Sequence, residues 1–256
     1  MLMEVRLKKI KQIINEQQHA TMDELAEQLN VSKDTIRRDL IKLEEQHIIR
    51  RTHGGAVLVE KEASIFDYDQ RSTKLHQVKT QLGKIAESKI KTNSSVIFDS
   101  STTVEKVIQY LFNKRITAIT NSLIHATLLA KMKEVTISVL PGKLHKTQLF
   151  LHGADTIEKL KQYHVDYTLL GVFALSNEGV FIHTEEEGLV KRQMIKQANT
   201  VIAIADHTKM GKTGFFKICD LSEIDLLITD LMPNPSLKQA LIENHVECLI
   251  LDKIKE

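Results

Sequence analysis

Hydroxyl and carboxyl side chains follow an apolar run near the middle of the sequence. The segment Asp-Ser-Ser-Thr-Thr comes directly after Val96–Phe98 and before a helical pattern. A helix N-terminus offers unpaired N–H groups, and hydroxyls complete a cradle for an anion, so this arrangement is typical of phosphate binding. Thr102 and Glu105 also match a capping box that any helix uses, and this plainer interpretation stays open.

Two further polar segments follow apolar runs. One begins at Gly171 and leads to Thr184–Glu187 and Lys191, and the other is Asp206–Lys209, directly after Val201–Ala205. Ligands of open α/β sheets collect where the strands end, at their carboxyl edge. Three such segments predict a pocket for a small ligand, although glutamates in a first helical turn usually only complement the helix dipole.

A different chemistry is indicated near the N-terminus. The outer face of the third helical pattern carries Lys33, Thr35, Arg37 and Arg38, and the following Ile48–Val57 forms two strand-like runs around a basic turn. Forked side chains read base edges, and cations contact phosphates, so this face is suited to DNA. The alternative is a small helical bundle with a solvated basic face.

The overall composition excludes several classes of protein. The 256 residues carry a net charge of only +2, so DNA binding has to rest on the local arrangement of cations. A hydrophobic fraction of 42% argues against disorder, and two cysteines exclude a disulfide scaffold or a multi-cysteine metal site. No apolar run approaches the roughly 18 residues of a membrane span, and no secretory signal is evident. We therefore expect a cytoplasmic protein.

The elements that position the basic face follow from helical spacing. A first helix is predicted over Arg6–Gln17, and a second begins at Thr21 with a capping box to Glu24. A short turn, Asn30–Lys33, leads to the third helix. Helix, capped helix, turn, basic helix and β wing is the layout of a winged helix-turn-helix, in which the third helix lies in the major groove.

The remainder of the chain alternates apolar runs with helical patterns. This alternation predicts an α/β domain with a mostly parallel sheet, because runs without polar alternation indicate strands buried on both faces. We predict a winged helix-turn-helix over 1–57, a polar linker over 58–77 and a ligand-binding α/β domain over 78–256. The predicted strands are Val96–Phe98, Ile116–Thr120, Val135–Leu140, Tyr167–Leu170, Val201–Ala205, Leu226–Thr229 and Cys248–Leu251.

The run VSKDTIRRDLIKLEEQHIIRRTHGGAV resembles the N-terminal signature of the DeoR family of bacterial transcriptional regulators. One departure is His47, where the family usually has glycine. The resemblance implies that Asp39 orients a neighbouring cation rather than touching DNA. It also implies DNA contacts from the third helix by Ser32, Thr35, Arg37 and Arg38, and from the wing by Arg50, Arg51 and His53.

The resemblance continues through DSSTT, LPGK, ADHTKMGK and LSEIDLLITD, which occur in the order of the DeoR effector-sensing domain. That domain is similar in fold to ribose-5-phosphate isomerase and the CoA-transferases, and it senses phosphorylated sugars or related small metabolites. The resemblance implies that the phosphate loop consists of Asp99, Ser100, Ser101, Thr102 and Thr103, and that Thr120 and Asn121 end the next strand at the same edge. Lys191 would be the charge partner of the ligand, with Glu185 or Glu186 near its hydroxyls. Asp206 and Lys209 would close the other side of the site, and Gly171 would also contact the ligand.

The chain departs from the family pattern within this site. Ser101 stands where a glycine is usual, Pro141-Gly142 replaces Gly-Gly, and the loop after Gly171 lacks a further glycine near Phe173. Glycine lets the backbone approach a phosphate closely, so the pocket and its ligand are expected to differ within the family.

These observations predict an oligomeric DNA-binding regulator, most simply a repressor of a sugar-metabolism operon that a phosphorylated sugar releases from its operator. No cofactor, metal ion or membrane is expected. An activator of the same architecture and a sugar-phosphate isomerase with an accessory DNA-binding module remain alternatives; the latter needs a positioned base. Metal sensing is disfavoured because the eleven histidines are scattered without ligand spacing.

Overall fold

The computed structural model describes residues 3–17, 19–45, 49–51, 54–58 and 68–251. The chain divides into two compact units, Met1–Ile65 and Phe66–Glu256. No helix within the described residues is long and apolar enough to cross a membrane.

The first unit has the predicted winged helix-turn-helix architecture. The capping box is confirmed, since the Thr21 hydroxyl accepts from Glu24 N at 3.2 Å and Thr21 N donates to the Glu24 carboxylate at 2.8 Å. Asn30 ends the second helix in the left-handed conformation, with φ of 50°, which turns the chain toward the third. The strands pair antiparallel in the order β1-β3-β2. The elements are α1 (Met3–Gln17), β1 (His19–Thr21), α2 (Met22–Leu29), α3 (Lys33–Glu45), β2 (Ile49–Arg51) and β3 (Gly55–Leu58).

The second unit alternates strands and helices as predicted. Its elements are α4 (Tyr68–Thr73), α5 (His76–Lys89), β4 (Ser94–Phe98), α6 (Thr102–Ile108), β5 (Ile116–Thr120), α7 (Leu123–Leu129), β6 (Val135–Val139), β7 (Lys143–His145), β8 (Phe150–His152), α8 (Ala154–Leu160), β9 (Val165–Gly171), β10 (Ala174–Ser176), β11 (Gly179–Ile182), α9 (Glu185–Lys196), β12 (Ala198–Ala205), β13 (Phe216–Cys219), β14 (Leu226–Thr229), α10 (Pro235–Glu243) and β15 (Glu247–Ile250), with 3-10 turns at His207–Lys209 and Leu221–Glu223.

The central sheet has seven strands in the order β15-β14-β12-β9-β4-β5-β6, and all six pairings are parallel. The mostly parallel α/β fold is therefore confirmed. Because every strand runs the same way, β4, β5, β9 and β12 all end at one edge of the sheet. This carboxyl edge is where the predicted ligand residues were expected to meet.

Apolar side chains cover both faces of the sheet, as the unbroken apolar runs predicted. Along β4, Val96 and Phe98 pack with α5 and α6, whereas Ile97 points to the opposite face and packs with α8 and α9. All three side chains are fully buried. The alternation places α6 directly after β4, so the hydroxyl-rich turn between them lies at the carboxyl edge.

Three features differ from the sequence-based expectations. Residues 68–77, expected as the end of a polar linker, fold as α4 and the start of α5 within the second unit. A small antiparallel sheet, β10-β11-β13, and a hairpin, β7-β8, were not foreseen. Their strands are three or four residues long, and β13 pairs with β11 across more than thirty residues, so no local pattern marks them.

Candidate functional site

The carboxyl edge brings Asp99, Gly171 and Lys191 into direct contact. Asp99 is fully buried, and its carboxylate accepts hydrogen bonds from Ser101 N at 2.9 Å and Gly171 N at 2.8 Å. The Lys191 ammonium donates to the same carboxylate at 2.5 Å and to the Gly171 carbonyl at 3.1 Å. One carboxylate therefore joins the ends of β4 and β9 to α9.

Lys191, predicted as the charge partner of the ligand, is already neutralised within the protein. Burial by itself would lower its pKa, but the carboxylates of Asp99 and Glu187 outweigh burial and leave the pKa raised. Glu187 lies one helical turn before it, at 3.5 Å. The contact between Lys191 and Asp99 holds the N-terminal half of α9 at the carboxyl edge.

Glu185 and Glu186 take no part in the described contacts around Asp99 and Lys191. Both are exposed on the first turn of α9, whereas Glu187, the third glutamate of the run, is buried beside Lys191. The difference is one of helical phase, because the face of α9 that packs inward carries Glu187 and Lys191 at i and i+4. This spacing of Glu187 and Lys191 is visible in the sequence and could have identified Glu187 as the glutamate beside Lys191.

The hydroxyl-rich turn is buried, but its capping residue differs from the one suggested by the sequence. Ser101, not Thr102, caps α6, and its Oγ accepts from Val104 N at 3.1 Å. Thr102 instead accepts a hydrogen bond from Lys79 Nζ at 2.9 Å. Ser100 and Thr103 are also buried in this turn.

Ser101 packs directly over the backbone of Gly171. A Cβ atom added to Gly171 would lie 1.9 Å from Ser101 Oγ and 2.3 Å from Ser101 Cβ. The serine that departs from the family pattern thus fills the space above Gly171, which explains how this chain accommodates it.

Thr120 and Asn121 lie at the end of β5, as expected. Thr120 Oγ1 accepts from Ser122 N at 3.1 Å, and Asn121 Nδ2 donates to the Leu151 carbonyl at 2.9 Å. Asn121 Oδ1 is buried and has no hydrogen-bond partner in the described part of the chain. Buried amide oxygens are normally satisfied, so this atom is a candidate acceptor for a ligand.

Asp206 and Lys209 occupy the turn after β12. Asp206 is buried and accepts hydrogen bonds from Thr208, which shapes the turn. Burial lowers the pKa of Lys209; the Asp206 carboxylate opposes this, and neighbouring cations, Arg71 among them, add to it. The Lys209 ammonium also lies 5.8 Å from the centre of the Phe173 ring.

Two residues at this edge were not predicted from the sequence patterns. Lys79 of α5 is 6% exposed and reaches the hydroxyl-rich turn. His125 of α7 is fully buried, and burial lowers its pKa to about 4, with the Asp99 carboxylate and the Ser101 backbone opposing the shift. Neither ring nitrogen meets hydrogen-bond geometry with any described residue. Neither residue stands in a motif, so nothing local distinguished them.

In the first unit, α3 presents its cations as predicted. Ser32 Oγ and Thr35 Oγ1 lie 2.9 Å apart at its start, and Lys33 pairs with the exposed Asp23 at 2.5 Å. Arg37 and Arg38 are exposed, and neither takes part in an ion pair with another described residue. Their guanidinium groups are thus available to a partner.

Two other charged residues of this unit, Asp39 and Arg51, form ion pairs within it. The expectation that Asp39 pairs with a cation is confirmed: it is buried and holds Arg6 of α1 through both carboxylate oxygens. Arg51 Nε pairs with Glu44 at 2.6 Å, joining the wing to α3. Arg50 lies in β2, opposite Val57 in β3. His53, predicted as a wing contact, lies outside the described residues.

Comparisons with known proteins agree with this two-part architecture. Residues 6–62 match the model of the DeoR-like helix-turn-helix domain, and residues 74–231 match that of the DeoR C terminal sensor domain. The HTH-type transcriptional repressor GlcR of Bacillus subtilis (strain 168) is 43% identical over 253 residues, covering 99% of this chain and 98% of that protein. The glycerol-3-phosphate regulon repressor of Escherichia coli (strain K12) is 29% identical over 238 residues, covering 92% and 94%.

Among solved structures, ribose 5-phosphate isomerase A from Methanocaldococcus jannaschii matches 53% of this chain and 54% of its own, with a TM-score of 0.38 and 17% identity. The sensor-domain model alone covers more than half of the chain. The winged helix, the seven-stranded parallel sheet and the two family matches lead to one conclusion: this chain belongs to the DeoR family of transcriptional regulators.

Proposed function

We propose that this chain is a cytoplasmic repressor of a sugar-metabolism operon. It binds its operator through α3 and the wing, and it leaves the operator when a phosphorylated sugar binds at the carboxyl edge of the sheet. Two relatives carry names that support this proposal, the transcriptional repressor GlcR and the glycerol-3-phosphate regulon repressor.

The observation that carries the proposal is the outer face of α3. Arg37 and Arg38 are exposed there without an ion-pair partner among the described residues, whereas Arg6 and Arg51 of the same unit are held by carboxylates. Unpaired guanidinium groups on the third helix of a winged helix-turn-helix are positioned to contact base edges and phosphates. Ser32 and Thr35 add hydroxyl donors at the start of the same helix.

The carboxyl edge of the sheet supports an anionic effector. Lys79, Arg71 and Lys209 act on one another electrostatically there, and Thr102 contributes a hydroxyl beside Lys79. The helix that follows this hydroxyl has only seven residues, so side-chain cations rather than a helix dipole supply most of the attraction. Asp206 offers an acceptor for sugar hydroxyls.

Release of DNA requires that the effector bind more tightly to the arrangement that does not bind the operator, because tight binding alone shifts nothing. We further propose that the regulator acts as at least a dimer, with two winged helices on repeated or palindromic half-sites.

Gel-shift titration with the DNA upstream of the chain's own gene tests the DNA-binding part. Arg37→Ala/Arg38→Ala should abolish specific binding and reduce the salt dependence, by about 0.9 in the log–log slope for each phosphate that the variant no longer neutralises. The double variant Lys131→Ala/Lys133→Ala removes the same charge from exposed positions of the second unit and serves as the control. Unchanged affinity in the arginine variant would contradict the assignment of α3.

Thermal shift of the full chain with sugar phosphates, the matching free sugars and inorganic phosphate tests the effector part. We expect stabilisation by a sugar phosphate that also weakens operator binding. Stabilisation only by free sugars would contradict the proposal, and turnover of the added compound would favour the isomerase alternative. An effector that strengthens operator binding would contradict the release mechanism.

A further inference from the structure

Two buried lysines at the carboxyl edge differ in how their charges are compensated. Lys191 has two carboxylates, Asp99 at 2.5 Å and Glu187 at 3.5 Å. The ammonium of Lys79 contacts only neutral oxygens, the Arg71 carbonyl at 2.5 Å and Thr102 Oγ1 at 2.9 Å. It forms no ion pair with any residue that the structure describes, although it is 6% exposed.

The fold holds Lys79 in place through a close crossing of α5 and α6. Gly83, one turn after Lys79, lies so near α6 that an added Cβ would be 2.7 Å from the Lys106 carbonyl carbon. Lys106 is in turn one helical turn after Thr102. The close approach of Gly83 to Lys106 therefore sets the Lys79–Thr102 hydrogen bond one turn away, and the ammonium has a defined position.

Several cations surround Lys79. Burial lowers its pKa to about 8; the Asp206 carboxylate opposes this shift, and Lys209, Arg71 and Lys106 add to it. Lys106 is itself paired with Glu105 at 3.3 Å, whereas the Lys79 ammonium contacts no carboxylate of the described residues. A buried charge without a counter-ion is costly, so such a site favours an anion over water.

We propose that Lys79 receives the phosphate group of the effector and that the bound phosphate also secures helix α4. The first part rests on the proposed function, because it names the residue that binds the phosphate of the sugar-phosphate effector. An ammonium has three N–H donors, and two of those of Lys79 go to Arg71 and Thr102. The third donor is left for a phosphate oxygen, which also supplies the missing negative charge.

The link to α4 follows from the hydrogen bonds of that helix. Arg71 lies on α4, and its carbonyl is the acceptor for Lys79. The same residue donates to Gln148 at 2.5 Å, and Tyr68 N donates to the Thr147 carbonyl at 3.4 Å. Helix α4 is the first described element after residues 59–67, so an effector that holds Lys79 acts on the segment through which the chain continues from the DNA-binding unit.

Calorimetric titration of the full chain with the sugar phosphate selected by thermal shift tests the first part. Lys79→Met and Lys79→Gln should weaken the affinity for the sugar phosphate by about 10- to 100-fold, as expected for a hydrogen bond to a charged group. Lys84→Met, on the exposed face of the same helix, is the matched control and should bind like the unmodified chain. Equal affinity in all variants would overturn the proposal and leave the proposed function intact, whereas absence of any sugar-phosphate binding to the unmodified chain would refute the proposed function itself.

Proton uptake provides a readout that a merely structural lysine would not affect. Because burial lowers the pKa of Lys79 to about 8, some of the Lys79 side chains are neutral at pH 8, and a phosphate dianion beside them should draw a fraction of a proton from solution. The uptake is measured as the dependence of the binding enthalpy on the buffer's ionisation enthalpy. It should fall in Lys79→Gln, and an uptake that is the same in this variant would overturn the assignment. Because the unmodified chain should itself show the uptake, its absence there would count against the proposal even if the variants fail to fold.

Hydrogen exchange tests the second part. Amides of α4, Tyr68–Thr73, should exchange more slowly when the sugar phosphate is added to the unmodified chain or to Lys84→Met. In Lys79→Gln at saturating ligand this protection should be absent. Unchanged exchange in α4 of the unmodified chain would refute the proposed link between effector and helix.

Discussion

The close packing of Ser101 on Gly171 gives a sharp prediction about the carboxyl edge. In Gly171→Ala, the new Cβ would lie 1.9 Å from Ser101 Oγ and 2.3 Å from Ser101 Cβ. Real atoms do not approach so closely. Rotation of the Ser101 side chain moves Oγ but not Ser101 Cβ, so it cannot relieve the clash between the two Cβ atoms. Gly171 N also donates to Asp99, and the Gly171 carbonyl accepts from Lys191, so the backbone is held from both sides.

The expected magnitude follows from the cost of inserting a methyl group into a packed interior. Such overpacking costs about 1–3 kcal/mol. Ser101→Gly removes both clashing atoms, and the next atom, Asp99 Oδ1, lies at an ordinary van der Waals distance of 3.6 Å. This change removes the cap of α6, at roughly a few tenths of a kcal/mol when glycine replaces serine. Gly171→Ala/Ser101→Gly should therefore be more stable than Gly171→Ala alone, by about 1 kcal/mol or more.

Thermal unfolding followed by circular dichroism measures these differences, because the chain has no tryptophan and only four tyrosines. A decrease of about 2 kcal/mol corresponds to roughly 4–8 °C in Tm for a unit of this size. Gly54→Ala is the control, since nothing lies within 4 Å of its added Cβ, and its unfolding should be nearly unchanged. If Gly171→Ala melts like the unmodified chain, or if Ser101→Gly gives no rescue, the packing argument is wrong.

Three further predictions concern charge. Charge reversal in Arg37→Glu/Arg38→Glu should abolish operator binding in a gel shift while leaving the circular dichroism spectrum unchanged, because these side chains are exposed. Asp39→Asn should lower the free energy of unfolding by about 3 kcal/mol in a urea titration, because it leaves the mostly buried Arg6 without its carboxylate; an unchanged midpoint would contradict this. Burial lowers the pKa of His125 to about 4 in the folded chain. As the pH falls, the unfolded chain therefore binds a proton at His125 before the folded chain does, and the free energy of unfolding should decrease between pH 6.5 and 4. In His125→Phe this part of the decline, about 3 kcal/mol, should be absent when unfolding is measured across that range.

The sequence alone was sufficient for the winged helix-turn-helix and for the seven strands of the central parallel sheet. Unbroken apolar runs such as Val96–Phe98 predicted strands covered on both faces, and the parallel sheet confirms them. Helical spacing with the Thr21 capping box predicted the winged helix in the same way. These patterns succeed because the residues that bury a strand or a helix face lie close together in the sequence, at a regular spacing.

Only the tertiary structure decided which buried charged side chains have a counter-ion close by and which do not. The partner of Lys191 is Asp99, 92 residues away, and no spacing rule connects them. In the sequence, Lys79 resembles the exposed Lys84 on the same helix. It is buried where Gly83 admits α6 at close range, and among the described residues its ammonium contacts two neutral oxygens and no carboxylate. Charge compensation depends on the distances between elements far apart in the chain, so it is set by the packing of the whole unit and not by any local motif.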